Sequence, residues 1–278
     1  MMNILEDGEE QNKSVIKFYR YQPADANRIK ALTADKIWVS NSLSFNDPVD
    51  TVKPIENNIY RSAFDSKLLK EAIKILFSDK TKNNLSTYFS ARCLDLIEQW
   101  ANPDNNDLAI YDVISSIEEH YKTLGIICLS PKFDSQIMWS HYASQHHGFV
   151  IEYTYNFLSF DPEHNFTTQE VSYTNARPHM CISEFLLTPH LAYKRLLATK
   201  HTEWSYEKEV RLIHKTKSTE FVDMPQGLKI SALLAGPKTT SENKNLLREK
   251  ATTLGIDIKC VENNGYEIVV NPFGLFNT

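Results

Sequence analysis

Residues 15–41 read VIKFYRYQPADANRIKALTADKIWVSN, and this stretch decides the fold class. Val15 to Tyr21 alternates and is rich in aromatic and β-branched residues, the signature of a strand. Pro23 and Asp25 then open a helix to about Leu32, because Pro interrupts extended pairing and Asp accepts hydrogen bonds from the first helical N–H groups. Lys36 to Asn41 returns at once to strand character. The chain therefore begins β-α-β.

Working outward, Ser42 to Asp50 is a loop of residues that cap and turn backbone. From about Arg61 to Tyr121 the apolar spacing is helical, with Leu68, Ala72, Ile75 and Leu76 as one expected stripe and Leu94, Leu96 and Ile97 as another. Asn102-Pro103-Asp104 interrupts it. Strands are expected again at Gly125–Leu129 and Gly148–Tyr153, with a short helix from Ser135 to Ser144 between them. A strand near Glu170 to Tyr173, a helix near Leu191 to Lys200 and a strand from Tyr206 to Ile213 follow. The last elements are a strand (Leu228 to Leu234), a helix (Ser241 to Leu254) and two strands (Ile256 to Val261, Tyr266 to Val270). This order predicts an α+β fold, a mixed and partly split β-sheet with a helical insertion after the second strand, over about 58–123. Residues 15–278 are expected to form a single α+β domain behind a flexible tail, 1–14.

The 278 residues carry 30 basic and 35 acidic side chains, a net charge of -5. That balance argues against a general coat for nucleic acid, which needs a basic excess or a concentrated patch. Four cysteines, Cys93, Cys128, Cys181 and Cys260, lie far apart without a C-x-x-C pair, so reduced thiols in a cytoplasmic protein are expected. The first residues are acidic and polar, unlike a secretion leader. No run reaches the roughly 18 apolar residues of a membrane helix. With eight glycines and no Walker or G-x-G-x-x-G string, a phosphate-cradling loop is not expected.

The most unusual polar stretch is Trp204-Ser205-Tyr206-Glu207-Lys208-Glu209-Val210-Arg211. In an extended strand alternate residues share a face, so Glu207, Glu209 and Arg211 are expected on one side and Tyr206, Val210 and Leu212 on the other. Two carboxylates about 7 Å apart on one strand face repel unless a cation or substrate intervenes. A salt-bridged seam and an aromatic-walled pocket both fit this pattern. Met138-Trp139-Ser140-His141-Tyr142 is expected on the short helix. His141, His146 and His147 lack a zinc-binding spacing, and no metal is predicted.

Together, Phe45-Asn46-Asp47-Pro48 with Asp50, Cys128-Leu129-Ser130, Met138 to Tyr142 with Gly148, and Lys200 with Trp204-x-Tyr206-Glu207-x-Glu209-x-Arg211 resemble the bacterial domain-of-unknown-function family numbered 2971, from about Lys17 to Gly236. More distantly, the chain resembles ADP-ribosyltransferases of the Arg-Ser-Glu type. Arg20 ends the first strand, Ser40-Asn41-Ser42 the second, and Glu207-Lys208-Glu209 lies on a later one. That second resemblance implies NAD as co-substrate, a macromolecular acceptor (protein or nucleic acid), and a toxin or phage-defence role. Glu209 would hold the ribose and favour its developing positive charge, and Glu207 would orient or deprotonate the acceptor. Arg20 would bind the pyrophosphate and Ser40 or Ser42 the nicotinamide side, with Tyr21, Asn46, Trp139 and His141 completing the cofactor site. Two alternatives stand beside it: a non-catalytic small-ligand or protein-binding module, and a metal-dependent nuclease built on Asp47, Asp50, Glu207 and Glu209.

Overall fold

The computed structural model describes residues 15–47, 49–51, 55–56, 66–77, 85, 88–102, 104–156, 165–176, 178–215, 217 and 219–271. The expected tail over 1–14, and with it Pro48 and Arg61, lie outside them. Helices and strands are mixed, and the fold is α+β. Among the described residues the strands form two five-stranded sheets and two small pairs. The chain divides into two compact units, 1–37 with 130–164 and 223–278, and 38–129 with 165–222. Among the described residues no helix is long and apolar enough to cross a membrane.

The first unit is built on strands β1 (Val15–Gln22), β5 (Phe149–Asn156), β12 (Leu228–Ala235), β13 (Asp257–Asn264) and β14 (Glu267–Asn271), in the order β1-β5-β12-β13-β14. β5 pairs antiparallel with both β1 and β12. β12 and β13 run parallel, so a helix must carry the chain back between them. That helix, α8 (Ser241–Leu254), begins where Thr240 accepts the N–H of Asn243 and ends at Gly255, whose φ of 66° few other residues adopt. Its Leu247 and Ala251 are buried. Helix α1 (Ala26–Lys30) is capped by Asp25, as its sequence predicts. Helix α5 (Gln136–Tyr142), capped by Ser135, is followed by Ser144, Gln145 and His146, all with positive φ.

On the face of β1 that carries Tyr19, Glu152 is buried and holds Lys17 at 3.2 Å, Lys259 at 3.0 Å and the hydroxyl of Ser231 at 2.9 Å. A register shift between Ile230 and Ala232 in β12 makes room for Ser231 there. The donors outweigh the cost of burial and hold the Glu152 carboxyl below its usual range.

The second unit contains the sheet β11-β2-β4-β10-β6, from β2 (Lys36–Asn41), β4 (Gly125–Leu129), β6 (Phe166–Glu170), β10 (Val210–His214) and β11 (Glu220–Asp223). β10 pairs antiparallel with β4 on one side and β6 on the other. Every residue of β10 is buried, as in a strand covered on both faces. Helices α2 (Ser66–Leu76), α3 (Ala91–Ala101), α4 (Ile110–Lys122), α6 (Ile182–Leu187) and α7 (Pro189–Leu197) supply the core, with Ile126 and Ile213 of the sheet joining it. Two parallel pairs, β3 (Ile55–Glu56) with β8 (Met180–Cys181) and β7 (Ser172–Thr174) with β9 (Thr199–His201), complete the unit.

Two local expectations are corrected. In α2 the buried stripe is Leu69, Ile73 and Phe77, whereas Leu68 and Ile75 are 57% and 74% exposed. The helix carries two apolar stripes, and periodicity cannot choose between them; the one with the larger terminal ring faces the core. The expected strand Tyr206–Ile213 is a 3-10 turn over Thr202–Glu207, then Lys208 at φ 45°, then β10 from Val210. The left-handed residue turns the backbone between the two glutamates, so strand alternation does not relate Glu207 to Glu209.

Candidate functional site

The site of the second unit starts at Arg211, whose side chain is 0% exposed near the start of β10. Burying a guanidinium is tolerable only if its five N–H groups find acceptors. All five do. Nε donates to Glu209 Oε1 at 2.8 Å, and Nη2 to Glu209 Oε2 at 3.2 Å and Asp50 Oδ2 at 2.5 Å. Nη1 donates to Asp50 Oδ1 at 3.1 Å and to the carbonyl of Leu197 at 2.5 Å. The ring of Phe45 lies 5.3 Å from Cζ, where a guanidinium face has no donors to satisfy.

The loop delivers Phe45 and Asp50 through its own turns. Asn41 accepts the N–H of Leu43, Asp47 accepts the N–H of Val49, and the Asp50 N–H donates to the Asp47 carbonyl. These are the Asx-type turns its composition predicts.

Lys200 supplies the second cation, from β9, where Tyr173 pairs with it across β7. Its Nζ lies 2.6 Å from Glu207 Oε2, 3.2 Å from Glu209 Oε2 and 3.8 Å from Asp50 Oδ2. The Trp204 ring centroid is 4.8 Å from the same atom, and Trp204 tilts against Tyr206 at 6.1 Å. The backbone N–H of Glu209 donates to the Tyr173 hydroxyl at 2.8 Å. The Glu209 carboxylate also accepts the Cys128 thiol from β4, where Cys128 faces Arg211 in register.

Three carboxylates and two cations thus share one buried cluster. Burial alone raises the Glu209 carboxyl, but the charges of Arg211 and Lys200 and its hydrogen bonds bring it down to about 2. Burial works against Arg211 too, yet Glu209, Cys128 and Asp50 hold its guanidinium charged well above the usual range. Burial and then Glu209 push the Cys128 thiol well up, which makes it a poor nucleophile. The Tyr173 and Tyr206 hydroxyls rise to about 12, mainly through burial.

The structure brings Glu207 and Glu209 together on Lys200, not on one strand face. Ser40 is half-buried on β2 opposite Ile126, whereas Asn46 is exposed in the loop. Ser42 is buried, with no hydrogen-bond partner for its hydroxyl. The other expected residues belong to the first unit. Arg20 hydrogen-bonds to the Tyr153 hydroxyl. Tyr21, the next residue, points to the opposite face of β1, where its hydroxyl donates to the Lys132 carbonyl at 3.0 Å and its ring meets Trp139 edge-on at 5.5 Å. Trp139 is buried and donates to the Phe133 carbonyl at 2.6 Å, whereas His141 is exposed beside Tyr142.

Asp50 and Glu209, which a nuclease reading needs near one another, do approach, with the Arg211 guanidinium between them. Among the described residues no group of three or more His, Cys, Asp or Glu side chains is arranged to hold a metal ion. Sequence reasoning missed the contributions of Tyr173 and Cys128. Neither stands within a recognisable spacing of Glu209, and both meet it only through strand pairing.

The fold and site define an α+β chain organised around a buried, mixed-charge cluster at the head of β10. Residues 138–212, which hold Trp139, Lys200, Glu207, Glu209 and Arg211, match the model of a family described as protein of unknown function (DUF2971). The chain is similar to that family over this stretch. No curated protein and no solved structure matches it.

Proposed function

We propose that the chain is an ADP-ribosyltransferase-like enzyme that takes NAD as co-substrate in the bacterial cytoplasm and modifies a macromolecule, as a toxin or phage-defence effector does. The observation that carries this reading is the convergence of Glu207 and Glu209 on one ammonium immediately before β10. When the bond between the nicotinamide nitrogen and ribose C1 breaks, nicotinamide leaves with the electron pair and positive charge develops on the ribose. A carboxylate held ionised in a low-dielectric site stabilises that charge, and Glu209, with its carboxyl at about 2, is such a group. The acceptor nucleophile then bonds to C1, and its proton passes to Glu207. Ser40, Ser42 and Asn46 belong to the same unit and are the proposed contacts to NAD there.

The test is incubation with NAD labelled in its adenylate portion, with candidate nucleic acids and cell extract present. Wild type is expected to release nicotinamide and transfer label, and Glu209→Gln to lose about 100- to 1,000-fold in rate. Absence of both release and transfer in wild type overturns the reading.

A second reading, a non-catalytic binding module, is favoured by the closure of the cluster. Glu207 and Glu209 are both nearly inaccessible, and every donor of Arg211 is already satisfied. In that reading the ions brace the turn that carries Trp204 and Tyr206. A small ligand or a protein then binds without being chemically changed.

A further inference from the structure

We infer that the ammonium of Lys200 is an exchangeable occupant of a cage for organic cations, and that the cage takes the alkylammonium group of a ligand. The inference concerns what the cage binds and is independent of whether NAD is cleaved.

Three carboxylates and an indole face surround Lys200 Nζ, at 2.6, 3.2 and 3.8 Å for Glu207, Glu209 and Asp50 and 4.8 Å for the Trp204 ring. Carboxylates combined with an aromatic face are the means by which proteins recognise amine ligands. Here the chain's own lysine fills such a cage.

Two of the three carboxylate walls do not depend on the occupant. Asp50 and Glu209 are each gripped through both oxygens by Arg211, which needs nothing from Lys200 to satisfy its five donors. The Glu209 N–H is separately anchored on Tyr173. Withdrawal of Lys200 therefore leaves two walls in place.

The occupant is tethered to the backbone only through its own side chain. A lysine ammonium sits on a flexible four-carbon stem and can leave by side-chain rotation alone, without unpairing the backbone of β9. The third wall, Glu207, ends the 3-10 turn just before Lys208, whose φ of 45° stores strain in a residue with a side chain. Trp204, on that turn, is half-exposed, so the cage lies one side chain below the surface.

The test titrates wild type and Lys200→Ala with methylammonium chloride, against potassium chloride at equal ionic strength. Tryptophan emission is followed with Trp204→Phe as background, alongside the melting temperature. Both proteins are expected to give a saturable, Trp204-dependent response. Removing an internal competitor that fills the cage nine-tenths of the time tightens binding about tenfold, so Lys200→Ala is expected to bind at least that much more tightly. No response in Lys200→Ala, or none in wild type up to roughly a thousandfold above the variant's Kd, overturns the inference, because Lys200 is then a fixed brace. If Lys200→Ala does not fold alone, it is refolded with and without methylammonium. Recovery only with the amine supports the cage, and equal failure overturns it.

Discussion

Arg211 and Asp50 meet fork to fork, through Nη1–Oδ1 at 3.1 Å and Nη2–Oδ2 at 2.5 Å, although they lie 161 positions apart in sequence. A bidentate pair of this kind fixes geometry as well as charge. It ties the Ser42-to-Asp50 loop to β10, and with Glu209 and the Leu197 carbonyl it leaves no donor of Arg211 over. Removing Asp50 leaves Arg211 paired with Glu209 but takes the acceptors from two of its buried donors, which costs more than the pair contributes. Asp50→Ala is therefore expected to lower stability by about 3–5 kcal/mol, read by urea denaturation. A loss under 1 kcal/mol shows that the pair is not held as described. Arg211→Lys is expected to resemble Asp50→Ala, because an ammonium cannot reproduce the fork.

Acid is expected to destabilise the second unit through Glu209. Its carboxyl lies at about 2 in the fold against 4.5 ordinarily, so the unfolded chain takes up the proton first. The stabilisation is complete above the unfolded value and disappears as pH falls from about 4.5 to about 2, amounting to about 3 kcal/mol. Unfolding of wild type and Glu209→Gln between pH 7 and 3 checks this. The variant starts less stable and has a flatter acid limb, and parallel limbs contradict the assignment.

Tyr193 offers a change in the other direction. Its hydroxyl is buried without a hydrogen-bond partner, inside a wall of Tyr88, Phe89, His120 and Phe185. An unsatisfied buried hydroxyl costs about 1–3 kcal/mol, so Tyr193→Phe is expected to leave the melting temperature unchanged or raise it. A fall of several degrees shows that the hydroxyl has a partner in solution.

Lys208 sits exposed at φ 45°, where glycine is less strained. Lys208→Gly is expected to be neutral or stabilising by about 0.5–1 kcal/mol, and Lys208→Val clearly destabilising. Equal effects of the two indicate that the turn tolerates another backbone conformation.

Much of the fold is legible because its elements carry their own punctuation. Asp25 starts α1, and Thr240 and Gly255 bound α8 at the expected residues. α2 is legible as a helix but not in its orientation, since Leu68 and Ile75 match the helical period as well as Leu69, Ile73 and Phe77 do. The site is legible as a location and not as a geometry. Glu207, Glu209 and Arg211 announce a polar anomaly, but the 3-10 turn that bends them onto Lys200 is fixed by partners remote in sequence. Asp50 and Tyr173 are two of these, and no local pattern encodes them.

The position of β10 between β4 and β6 has a consequence during synthesis. Asp50 and β4 leave the ribosome long before Arg211, with the helices of 66–122 emerging between them. Until Arg211 arrives, Asp50 has no guanidinium to grip and β4 and β6 have no strand to join them. Domains generally fold as units as the chain emerges, and this one is completed late. A nascent chain arrested before about residue 211 is expected to stay protease-sensitive in its second unit, and release past residue 214 to bring protection in a single step.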